Sequence, residues 1–230
     1  MKLSPNVLIG ACLHLVVRWE VEIFPWLMTN GVNRSLLKSL LKIQITINYG
    51  VFHDGDQKID GKNMKLSDYV INYLHSKGTK HVFGMSGGAA VHLFDSAAKH
   101  AGVGTTFVAH EQSAAMAADG YYRVSGQVGA CVVTSGPGAT NLLTGVCCSY
   151  YDSIPTLMLT GQVATHRLKG ERKVRQVGFQ ETDSLSIYSS VTKSAEQLHD
   201  PSQIARMLDN AYAEAEDGRP GPVLVDIPDD

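Results

Sequence analysis

Charge of one sign is not in excess in this sequence. Twenty lysines and arginines face 22 aspartates and glutamates, a formal net charge of −2, and the pI is near 6.5. There is no bulk electrostatic case for a nucleic-acid or anionic-membrane partner, and none is expected. Cysteine is scarce. Cys12, Cys131, Cys147 and Cys148 have neither the spacing of a disulfide framework nor that of zinc ligands, so buried free thiols in a reducing compartment, the cytoplasm, are expected. Long apolar runs are missing too. "VLIGACLHLVV" (7–17) has the length of a signal-peptide core behind Lys2, but it contains His14 and is followed by Arg18 and Glu20. No small-residue cleavage site is evident, and the run is too short to span a bilayer. Repeats and low-complexity tracts are also missing. What remains is a hydrophobic content of 44% in 230 residues, ordinary for one large domain, or one domain plus an appendage.

The pattern divides the chain at Met64. Residues 27–63 carry no defensible periodicity. Residues 1–63 are therefore expected to be an extension outside the fold, with an added domain or membrane-associating segment as the alternative. From the start-like "MKLSDYV" onward the order is regular. Ser67 is placed to cap a helix through Lys77 with Val70, Tyr73 and Leu74 on one face. "HVFGM" (81–85) reads as a strand, and 87–100 as a glycine turn entering a helix. The alternation continues with a strand at 105–110, a helix at 111–125, a strand at 128–135, a helix at 138–153 and a strand at 155–161. After a polar loop come a helix at 202–217, with Ile204, Leu208 and Ala211 aligned, and a strand at 221–228. Short continuous apolar strands alternating with helices predict an α/β domain, a parallel sheet with helices on both faces. Ligands in such sheets sit at the carboxyl ends of strands. "GMSGGA" (84–89), "AHEQ" (109–112) and "TSGPGATN" (134–141) all fall there.

These stretches admit two readings each. "SGPGATN" is either a tight strand-to-helix turn or a place where backbone approaches a ligand closely. It lacks the spacing and the lysine of a Walker A loop, and Asn141 stands where a dinucleotide fingerprint would need its last glycine. Glu111 opens an alanine-rich helix that looks packed on all sides. Exposed, it would gain about 0.3–1 kcal/mol from the helix dipole. Buried among apolar neighbours, it would keep a proton available near neutral pH.

Taken together, "VFGMSGGAAVHLFD", "AHEQSAAMAADGYYRVSG", "TSGPGATNLLTGVCCSYYDSIPTLMLTGQV", "GFQET" and "GPVLVDIPDD" resemble the N-terminal, pyrimidine-binding domain of thiamine-diphosphate-dependent enzymes. Within that superfamily they most resemble the acetolactate synthase (acetohydroxyacid synthase) group. The resemblance runs in order over 64–230. It implies a transferase or carboligase that uses thiamine diphosphate to decarboxylate a 2-oxo acid, in branched-chain amino-acid biosynthesis for a true synthase. It implies that Glu111 hydrogen-bonds the cofactor's aminopyrimidine and drives its imino form, which activates the thiazolium carbon. Ser86, Gly87, Gly88, Pro137 and Asn141 become cofactor-binding positions, and Phe179 and Gln180 lie near the reacting centre, Gln180 with a catalytic part.

Two departures stand out. The synthases usually have proline where Ser86 stands. The segment "ATHRLKGERKVRQV" (164–177) is longer and more basic than theirs: His166, Arg167, Lys169, Arg172, Lys173 and Arg175 are offset only by Glu171. It is either a solvated loop or a site for a substrate carboxylate or phosphate. The resemblance also implies a central domain, where FAD is possible, and a diphosphate-binding domain carrying the Mg²⁺ ligands. No metal ligand is expected among these residues. The expected partners are a diphosphate-binding domain of another subunit or chain, a small 2-oxo acid, and further copies in a homo-oligomer of the full-length form.

Overall fold

Backbone polar groups buried on both faces of a layer must pair within it, and the apolar runs do so as parallel strands. The computed structural model describes residues 64–230, so the expectations for 1–63, including the run at 7–17 and Cys12, lie outside the described residues. The strands are β1 (His81–Met85), β2 (Gly104–Phe107), β3 (Gly129–Val133), β4 (Thr156–Gln162), β5 (Ser194–Gln197) and β6 (Val223–Pro228). They form one six-stranded sheet in the order β2-β1-β3-β4-β6-β5. Every pairing is parallel. β3, β4 and β6 are buried along their whole length.

Seven α-helices are described: α1 (Leu66–Ser76), α2 (Val91–Lys99), α3 (Glu111–Ser125), α4 (Pro137–Asn141), α5 (Leu143–Asp152), α6 (Ser184–Tyr188) and α7 (Ile204–Glu216). Period-2 alternation along the strands feeds two cores. Ala130, Val132, Leu157, Leu159, Val223 and Val225 join Val70, Leu74, Phe94 and Leu208 on the face covered by α1, α2 and α7. Cys131, Val133, Met158 and Leu224 join Ala114, Ala118, Leu142, Val146 and Tyr188 on the other. The α/β fold with both faces covered is the one the alternation predicts.

Local differences have physical causes. Ser67 does not cap α1; the N-cap is Lys65 without a side-chain bond, and Ser67 is buried, accepting from Ser96 Oγ at 2.9 Å. The span 138–153 is α4 and α5, separated at Leu142. The polar stretch read as a loop contains α6 and the edge strand β5. α3 is not packed on all sides within the described residues, since Met116 is 42% exposed. Of the cysteines, Cys131 is buried, Cys147 half-buried and Cys148 exposed, all with free thiols.

The strand order places the site. β2 and β3 lie on opposite sides of β1, so the connections leaving β1 and β3 part at their carboxyl ends. A crevice opens there.

Candidate functional site

The chain leaving β2 turns into α3 at His110, whose Nδ1 accepts from Gln112 N at 3.1 Å and caps the helix. Glu111 is thereby the first residue of α3, where unsatisfied N–H groups favour negative charge. Its side chain is buried, at 6% exposure. The exposed reading of this carboxylate is therefore set aside, although the dipole still acts on it. Oε2 accepts from Asn141 Nδ2 at 2.9 Å. Oε1 has no hydrogen bond among the described residues, and a Cβ added at Gly138 would stand 3.7 Å from it. One oxygen is held and the other is open to a ligand.

Thr134 ties the two glycine turns together. Ala89 N donates to its Oγ1 at 3.2 Å. A Cβ at Gly87 would fall 2.5 Å from Thr134 Cβ, and one at Gly138 would fall 2.8 Å from Thr134 Cγ2. Side chains at either glycine would force the turns apart. Gly161 in β4 does the same beneath them, since a Cβ there would lie 2.1 Å from the Ala89 carbonyl. Gly136 has φ +64 and a Cβ on it would meet Gln180 Cβ at 2.7 Å, so the turn needs glycine for both conformation and space. Pro137 then opens α4 with its ring-fixed φ. The buried Tyr188 of α6 donates its hydroxyl to the Ala139 carbonyl and pins α4 from behind.

Most of the expected site residues come together. Gly87, Glu111 and Asn141 meet around Thr134 and Gly138, with Pro137 at the start of the same short helix. Gly88 borders this group, and a Cβ on it would find nothing within 4 Å, which leaves open space beside it. Ser86 is exposed at the end of β1. Gln180 reaches Gly136 with a left-handed φ of 64, one of two non-glycine residues in that region among those described. Phe179 is 81% exposed. No hydrogen bond joins Ser86, Phe179 or Gln180 to Glu111. Thr134 and Tyr188 were not singled out from the sequence. A threonine beside a glycine turn and a tyrosine in a polar stretch carry no pattern, and only the folded contacts mark them.

A second buried polar cluster lies between β4, β5 and β6. Asp226 accepts from Thr160 Oγ1, from Gln162 Nε2 at 2.9 Å and from Gln197 Nε2 at 2.8 Å. Burial raises its carboxyl above the usual aspartate range, against the lowering effect of these donors. Among the described residues, no group of three or more His, Cys, Asp or Glu side chains is placed to hold a metal ion. No described helix is long and apolar enough to cross a membrane.

The residues present suit the pyrimidine end of thiamine diphosphate. Glu111 Oε1 has no hydrogen bond among the described residues, and Gly87 and Gly138 leave room where side chains would intrude. Residues 64–187 match the family model described as thiamine pyrophosphate enzyme, N-terminal TPP binding domain. Curated relatives agree. An acetolactate synthase of Arthrospira platensis is 42% identical over 178 residues, which is 76% of this chain and 30% of that protein. The acetolactate synthase large subunit of Lactococcus lactis is 41% identical over 164 residues, 71% of this chain and 28% of that protein. The acetolactate synthase isozyme 3 large subunit of Escherichia coli has the same identity over the same length and the same two shares. The chain thus spans less than a third of the length of these relatives. A parallel α/β sheet, a buried carboxylate at its switch point and these matches agree: the chain belongs to the thiamine pyrophosphate enzyme family, as an acetolactate synthase-like N-terminal TPP binding domain.

Proposed function

We propose that this chain supplies the pyrimidine-binding half of a thiamine-diphosphate-dependent carboligase or decarboxylase acting on a small 2-oxo acid, as an acetolactate synthase would. The observation that carries this reading is Glu111, buried, with Oε2 held by Asn141 and Oε1 open beside Gly138. Bound thiamine diphosphate supplies the electron sink that decarboxylation needs. Glu111 holds and moves the proton at Oε1. Asn141 stops the carboxylate from rotating away, and Thr134 fixes the spacing of the two turns. Gly87, Gly88 and Ser86 border the cofactor on one side and Pro137 on the other, while Phe179 and Gln180 face the substrate side.

The relatives' greater length supports a partner for the rest of the site. A diphosphate-binding domain of another subunit or chain would bring the Mg²⁺ ligands, and FAD would be held by a central domain if it is used. A homo-oligomer in the full-length form, a cytoplasmic location and a part in branched-chain amino-acid biosynthesis complete the proposal. Because the chain spans less than a third of its relatives, two further readings stand: one chain of a split 2-oxo acid decarboxylase, or a truncated non-catalytic interaction module.

The test combines the chain with a protein carrying the diphosphate-binding domain, thiamine diphosphate and Mg²⁺. Carbon dioxide release from pyruvate and exchange of the thiazolium proton by NMR are then followed. Glu111→Gln should lower both by roughly 10²–10⁴-fold, the usual contribution of a positioned acid–base group. The fold should change in stability by about 1 kcal/mol or less, since the substitution is nearly isosteric. Unchanged proton exchange in Glu111→Gln would remove the catalytic assignment. No release or exchange with any such partner would favour the non-catalytic module.

A further inference from the structure

The segment 167–175 carries Arg167, Lys169, Arg172, Lys173 and Arg175 against one acid, Glu171, in a chain whose net charge is −2. Outside it, every described lysine and arginine except Lys80 donates to an acid or another polar oxygen. Inside it, none of the five side chains has a hydrogen bond or ion pair among the described residues. The nearby acids face elsewhere. Glu181 accepts from the backbone N–H of Lys169 at 2.6 Å and of Val177 at 2.7 Å. Asp183 caps α6, accepting from Ser186 N at 3.1 Å and from its hydroxyl at 2.7 Å. Gly178 N donates to the Arg167 carbonyl at 2.9 Å and closes the base of the loop. Asp183 also feels the charge of Lys169, so the acids fix the backbone and leave Arg167, Arg172, Lys173 and Arg175 without an acid partner among the described residues. Like charges held in one frame repel, and an anion placed among them relieves that repulsion.

The loop's position narrows the ligand. It leaves β4 and returns through Phe179 to Gln180, which packs on Gly136. That turn leads directly into the helix whose Asn141 holds Glu111. We propose that residues 167–175 form an anion-binding loop at the rim of the cofactor site, taking the phosphate or second carboxylate of a small, multiply anionic substrate. The word substrate rests on the function proposed above; the anion site itself does not. Guanidinium forks suit both groups, since each presents paired oxygens. A substrate such as pyruvate, whose only charge adjoins the reacting carbon, would leave the loop unused.

The 230-residue chain is titrated without thiamine diphosphate, so the outcome does not depend on the cofactor reading. Inorganic phosphate tests the phosphoryl class and malonate the dicarboxylate class, with backbone amide shifts read by NMR. Saturable shifts centred on 167–177 are expected for at least one ion, and the stronger responder names the class. The exposed double variant Arg172→Gln/Arg175→Gln should weaken that binding at least roughly 10-fold, about 1.4 kcal/mol. Lys80→Gln, a cation outside the loop, should leave it unchanged. No saturable response to either ion overturns the proposal. So does undiminished binding in the double variant, or equal weakening by Lys80→Gln, which would mean diffuse attraction only.

Discussion

His81, at the start of β1, sets a pH limit on the fold through one ring. It bonds Thr106 Oγ1 through Nε2 at 2.7 Å and packs on Phe83 with ring centroids 4.8 Å apart. Burial disfavours the charged ring and pushes its pKa down from 6.5 to about 4. Between these values the unfolded chain binds a proton that the folded chain refuses. Stability is therefore fully present above pH 6.5 and is lost as pH falls toward about 4. The loss can reach about 1.4 kcal/mol per pH unit for one proton. Denaturant unfolding across this range should show a flatter acid slope in His81→Gln than in the parent chain. Identical slopes would mean that the folded ring accepts its proton at no cost. The contrast with Glu111 shows which residues were legible in the sequence. Glu111 stood out because a carboxylate beside an alanine-rich run conflicts with its surroundings. A histidine opening "HVFGM" reads alike whether exposed or buried, so its environment exists only in the fold.

Helix α3 carries Glu111, and its register against α5 depends on small residues. A Cβ at Gly145 of α5 would fall 2.5 Å from Ala115 Cβ and 3.0 Å from the Gln112 carbonyl. A Cβ at Gly129 of β3 would lie 2.0 Å from the Ala118 carbonyl. The alanine-rich composition is therefore accounted for by close approach to β3 and α5 within this chain. Gly145→Val should force α3 and α5 apart and cost about 1–3 kcal/mol by overpacking. In a chain of this size each kcal/mol lowers Tm by about 2–4 °C, so a thermal melt decides the point. A variant melting with the parent would show that the helices yield freely there. The elements that sequence revealed are those with a strong period, an apolar run or a marked turn, namely β1, β2, β3, β4, β6, α1, α2, α3 and α7, with α4 and α5 read as one helix. β5 and α6 were missed for a physical reason. β5 is an edge strand whose four residues, "SAEQ", are all half-buried, so neither alternation nor an apolar run marks it. α6 has five residues, too few to show a helical period, yet it carries the Tyr188 that braces α4.

At the scale of the molecule, the described residues between Leu66 and Ile227 build two hydrophobic cores. Among the described residues the sheet runs from β2 at one end of its strand order to β5 at the other. The family match begins at residue 64, and the relatives named above align with 71–76% of the chain. The described residues thus supply two cores and a six-stranded sheet, contacts of the kind on which a domain folds. We therefore expect a chain beginning at Met64 to unfold in one cooperative transition, with Tm within about 2 °C of the 230-residue chain. The same shortened chain should keep the phosphate- or malonate-dependent shifts of the loop at 167–175, because the bonds that close that loop lie within 167–181. The competing expectation, an added domain that packs on this one, gives a different melt. Removing it would expose apolar surface, at about 25 cal/mol per Å², and an interface of a few hundred Å² would lower Tm by many degrees. Differential scanning calorimetry of the two chains separates these outcomes. A second transition in the longer chain, or a loss of several degrees in the shorter one, would move the domain boundary to the N-terminal side of Met64.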